Sequence, residues 1–173
     1  FDPPLKEDAD FDRLVVPRFA VDRPATVRAA DRAADLLGDA MPVRTVCAPS
    51  VSGTLGTEAA LLRGMSEMML DMAVRPELMH RLMSVLRDGA LRGIACAEES
   101  GLLTPNNTGP MYCSDPVGPP PGPGGITCGN LWTNVNSQEF DQVSPAMWEE
   151  FCLAYQRPIV DRFGLSAYGC CEN

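Results

Sequence analysis

Apolar residues recur at helical spacing in four stretches of the chain, and short β-branched or apolar runs lie between them. Val27, Ala30, Ala34 and Leu37 follow Pro24, a residue suited to the first turn of a helix, and Gly38 suits the exit. Thr57 is placed to cap a second helix, whose broad apolar face carries Leu61, Leu62, Met65, Met68, Met69 and Met72. A third helix starts near Pro76, with Leu78, Leu82, Met83, Val85 and Leu86 along one side. It continues to about Ser100, with Gly89 and Gly93 as the positions where it could bend. Ser144 and Pro145 form an N-cap and first turn ahead of Met147, Trp148, Phe151 and Tyr155; Pro158 predicts a kink or a restart in this fourth helix.

The runs between these helices read as strands: Pro42–Cys47, Leu102–Thr104, Leu131–Val135 and Leu165–Cys170. The order strand, helices, strand, strand, helix, strand predicts an α/β chain built from parallel βαβ units. Residues 112–130 form a long loop with a Pro/Gly cluster at 116–125. Proline density there favours local polyproline II, and the segment is expected to be exposed and mobile, lying over the strand ends as a lid.

With 173 residues, 45% hydrophobic and 21% charged, the chain is expected to form one domain over residues 1–173. It holds no apolar run near the roughly 18 residues needed to span a bilayer. The start at Phe1 has neither the basic nor the apolar stretch of a secretory signal. A formal net charge of −9 disfavours nucleic acid and anionic membrane surfaces as partners. Seven cysteines without regular spacing, and no export signal, point to a reducing cytoplasm rather than a disulfide framework. Cys47, Cys96 and Cys152 read as small buried hydrophobes. The termini, with no initiating Met and a stop directly after Glu172–Asn173, predict an interior piece of a longer chain.

Three stretches together resemble the uroporphyrinogen decarboxylase superfamily. They are Arg63-Gly64-Met65 through Leu70-Asp71-Met72 with Arg75-Pro76-Glu77-Leu78; Val143-Ser144-Pro145 through Phe151 and Tyr155 to Pro158-Ile159; and Phe163-Gly164-Leu165 leading to Tyr168-Gly169-Cys170-Cys171-Glu172. The resemblance covers most of the chain and implies a partial (β/α)8 TIM barrel, with chemistry at the C-terminal ends of the strands. The family contains haem-pathway decarboxylases and cobamide-dependent methyltransferases. In the methyltransferases a His-x-Cys strand and a later Cys hold zinc, which activates the thiol that accepts the methyl group. That pattern lays Tyr168 where the His belongs and Cys170 where the first Cys belongs, and the later Cys falls beyond Asn173. The implied function is methyl transfer to a thiol on a small-molecule substrate, with zinc as possible cofactor and a corrinoid protein carrying cobamide as possible partner. The alternatives are a cofactor-free tetrapyrrole decarboxylase and a non-catalytic binding barrel.

Period-two alternation puts Tyr168, Cys170 and Glu172 on one face of the last strand, expected to be the barrel interior, with Cys171 on the other. A phenol, a thiolate and a carboxylate converging there could ligate zinc, through Cys170 and Glu172, or activate a substrate thiol; a packed Tyr with two buried cysteines is the plainer reading. Gln138, Glu139, Asn106 and Asn107 lie at predicted strand ends and are candidates for hydrogen bonds to a polar substrate, or else loop caps. His80, on a helix, is expected to be an outward or boundary residue.

Overall fold

The computed structural model describes residues 2–48, 53–107, 117–118 and 122–169. It is a mixed α/β chain dominated by helix, and among the described residues its sheet has two strands. The helices are α1 (Arg23–Leu37), α2 (Leu55–Arg63), α3 (Met65–Val74), α4 (Pro76–Glu99), α5 (Pro145–Trp148) and α6 (Ala154–Val160); the strands are β1 (Trp132–Val135) and β2 (Leu165–Tyr168).

The methionine-rich stretch is two helices, not one. Gly64 adopts φ +87°, a left-handed conformation that residues with a Cβ resist, and the chain turns there between α2 and α3. The apolar face expected to be continuous is therefore divided. Met68 and Met72 are buried, while Leu61 and Met65 reach solvent. The cap also shifts: Thr54, not Thr57, precedes α2, and Thr57 turns its hydroxyl to Glu139. Helix α4 runs unbroken past Gly89 and Gly93, about 36 Å at 1.5 Å per residue. Met79, Leu82, Met83 and Ile94 line its buried side, and the two glycines let Pro17 and Phe19 lie close against it.

Arg63 and Asp71 fasten this layer. Both are buried; Arg63 Nε donates to Asp71 at 2.7 Å, and its Nη1 donates to the carbonyls of Leu5 and Lys6, each at 2.7 Å. Arg75 Nε meets the other side of Asp71 at 2.8 Å. Helix α1 contrasts with this. Asp22 caps it by accepting from the Ala25 N–H, and Pro24 sits in its first turn as expected, yet it buries no residue. Val27 and Leu37, expected on a packed face, are exposed.

The expectation of parallel strands holds for the last two runs. β1 and β2 pair in parallel, with Trp132 opposite Leu165 and Val135 opposite Tyr168. Between them Ser144 Oγ accepts from the Met147 N–H and starts α5; a π turn at Glu149–Leu153 leads into α6, which carries Pro158 within it. The π turn sits just ahead of Ala154, whose carbonyl a proline four residues on cannot satisfy. Phe151, Tyr155 and Ile159 are buried in this crossover helix.

The runs Pro42–Cys47 and Leu102–Thr104 are not strands, contrary to expectation. They do lie side by side: the Thr104 N–H donates to the Cys47 carbonyl at 2.7 Å, and the Cys47 N–H donates to Thr104 Oγ1 at 3.0 Å. Side chains supply part of the bonding that a ladder would draw from backbone, so no regular pairing extends. Of the Pro/Gly cluster, Val117 is buried near Gly164, whereas Gly118 and residues 122–125 are exposed. No helix among the described residues is long and apolar enough to cross a membrane.

Candidate functional site

The C-terminal ends of β1 and β2 lie side by side, and the start of α2 is folded against the end of β1. The Gly53 N–H donates to the Asn134 carbonyl at 3.0 Å, and the Asn136 N–H donates to Thr54 Oγ1 at 3.0 Å. Gln156 of α6 also donates its Nε2 to the Asn136 carbonyl at 2.6 Å. This approach needs glycine. A Cβ on Gly53 would stand 2.5 Å from Val135 Cγ1, and one on Gly56 would stand 2.6 Å from Glu139 Oε2.

The polar groups gathered here include three acceptors without a donor. Glu139 Oε1 takes the Thr57 hydroxyl at 2.6 Å. Among the described residues, Glu139 Oε2, Asn136 Oδ1 and Gln156 Oε1 are buried and meet no donor. Each such orphan costs roughly 1–3 kcal/mol relative to a satisfied group. Three of them on segments bonded to the end of β1 amount to an unmet demand for hydrogen-bond donors or positive charge.

Two hollows open at these strand ends. One, of about 400 Å³, is lined by Ser137, Phe140, Asp141, Val143, Trp148 and Tyr168 among others. The other, of about 850 Å³, lies along the sheet and touches Trp132, Asn134, Asn136, Ser166, Ala167, Tyr168 and Gly169.

Of the residues singled out from sequence, Glu139 stands at the site, half-buried, and Gln138 beside it is exposed. Asn106 holds the edge of the sheet. Its Nδ2 donates to the Trp132 carbonyl at 2.8 Å, and its Oδ1 accepts from the Trp132 N–H at 2.9 Å, so it stands in for a neighbouring strand. Asn107 is half-buried next to it. Tyr168 lines both hollows. It is in register with Val135, which packs toward Gly53 and Ile159, and its ring meets Trp148 of α5 edge-on at 6.4 Å and 86°. Bridge partners share a face of a sheet, so Tyr168 shares a face with Val135, and Ala167 with Asn134. Cys170 and Glu172, with Cys171, lie outside the described residues. Among the described residues no group of three or more His, Cys, Asp or Glu is arranged to hold a metal ion. The described donors are oxygens and do not by themselves match zinc's preference for sulfur and nitrogen.

His80 makes more contacts than its sequence setting suggests. Its ring stacks on Phe151 at 4.7 Å; Nδ1 is 2.7 Å from the Tyr155 hydroxyl and Nε2 is 3.1 Å from Glu150. It pins α4 to the crossover helix and lines neither hollow. Cys128 is no nucleophile: burial, reinforced by the negative charge of Glu98, pushes its thiol up to about 12.

Comparisons of the chain with protein-family models, with curated proteins and with solved structures return no match.

Proposed function

We propose that the chain is part of a uroporphyrinogen-decarboxylase-type (β/α)8 barrel enzyme that transfers a methyl group to a thiol, acting at the C-terminal ends of β1 and β2. The observation that supports this most is the set of unpaired buried oxygens of Asn136, Glu139 and Gln156 beside two parallel strand ends. Barrel enzymes carry their chemistry at that end of their strands, on residues from successive loops. Acceptors without donors suit a substrate that brings donors or positive charge.

In this reading Glu139, Asn136 and Gln156 orient the substrate, and Cys170 and Glu172 are the residues that activate the acceptor thiol. Zinc, if bound, would be held by Cys170 and Glu172 with a further ligand, and would supply activation of the acceptor thiol. A corrinoid protein is the proposed methyl source. The test is a pair of variants in the whole protein. Cys170→Ser is expected to abolish methyl transfer and lower zinc content, and Glu139→Gln to weaken substrate binding by about tenfold through loss of one charged contact. Full activity in Cys170→Ser would refute the reading.

A further inference from the structure

We propose that the 400 Å³ hollow beside the strand ends is a binding site for a small methylated ammonium group. Trp148 and Tyr168 stand nearly perpendicular, at 86°, with ring centroids 6.4 Å apart, so they form two walls of a corner. A cation in such a corner can lie within about 6 Å of both ring centres, where the aromatic quadrupole attracts it. Asp141 adds a carboxylate to the lining. Val143 and Phe140 supply apolar surface for methyl groups, which a bare ammonium would not exploit. The chain's net charge of −9 concentrates cations near its surface. Tyr168 is 46% exposed, which leaves the corner open to entry.

A neutral apolar ligand would gain nothing from the carboxylate, and an anion would be repelled by it. A strongly hydrated ammonium loses too much solvation against two aromatic walls. A methylated ammonium carries a diffuse charge and an apolar skin, which fits both kinds of wall. This site is independent of the methyl-transfer reading, because occupancy is measured without any reaction.

The experiment is calorimetric titration of the full chain with choline, and with 3,3-dimethylbutan-1-ol as its uncharged isostere. Choline is expected to bind saturably and at least about tenfold more tightly than the alcohol. Tyr168→Leu is expected to weaken choline by about tenfold and Tyr168→Phe to leave it nearly unchanged, since the ring and not the hydroxyl forms the wall. Asp141→Asn is expected to weaken it by about fivefold and to flatten its salt dependence. Trp148 is partly buried, so Trp148→Leu is read only with an unchanged circular dichroism spectrum; Tyr168→Leu, on an exposed residue, carries the test if that variant does not fold. Absence of saturable choline binding, equal binding of the alcohol, or binding unaffected by Tyr168→Leu would overturn the proposal.

Discussion

Arg63 shows how much one buried charge governs in this chain. Its guanidinium ties α2 to Asp71 on α3 and to the carbonyls of Leu5 and Lys6. Arg63→Leu leaves Asp71 buried with Arg75 as its remaining partner, and is expected to cost about 3 kcal/mol in denaturant unfolding. The Lys6–Asp2 pair, with side chains 57% and 81% exposed, is expected to contribute at most about 0.5 kcal/mol by the same measurement. Glu98 makes a pH-dependent contribution. Burial opposes its charge, but the Cys128 N–H and the Arg162 guanidinium outweigh that and hold its carboxyl below the usual range. A depressed carboxylate stabilises the fold above its unfolded value, and the contribution is lost as pH falls through the folded one. Unfolding measured between about pH 3 and 6 should therefore show a flatter acid limb for Glu98→Gln than for the wild type. The Arg63–Asp71 pairing was not legible in the sequence, because the two are eight residues apart across a helix break at Gly64, beyond any i,i+4 pattern.

At the scale of elements, the turn into β2 is as constrained as any helix cap. A Cβ on Gly164 would stand 2.2 Å from the Gly129 carbonyl oxygen and 2.3 Å from Val117 Cγ1. Gly164→Ala is expected to cost about 1–3 kcal/mol, read as a lower unfolding midpoint with unchanged cooperativity. Helix α1 should behave in the opposite way. It buries no side chain, so Leu36→Lys is expected to change stability by less than about 0.5 kcal/mol. The helices from Pro24, Pro76 and Ser144 were readable because a proline in the first turn marks each start in the sequence itself, with the Ser144 cap ahead of the third. The runs at 42–47 and 102–104 look like strands in sequence and are not. β-Branched composition reports a preference, whereas a ladder needs partners, and here Thr104 and Asn106 side chains take that role.

For the whole molecule, the sequence conveyed the α/β order and the strand ends as the place of interest. It pointed to Glu139 there, while Asn136 and Gln156 were missed; Gln156 lies inside a helix pattern, where a polar residue reads as solvent-facing. What joins them is tertiary: the start of α2 and Gln156 of α6 both bond to Asn136 at the end of β1. The central claim is that this end serves a thiol-directed methyl transfer dependent on Cys170. Its most direct test is to supply the whole protein with a methylated corrinoid protein carrying an isotopic methyl label and a small thiol, and to follow label in the thioether product. The account predicts label transfer by the wild type, a loss of at least about a hundredfold in Cys170→Ser, and little loss in Cys171→Ser. Label transfer that persists unchanged in Cys170→Ser, or no transfer together with decarboxylation of a tetrapyrrole, would contradict it.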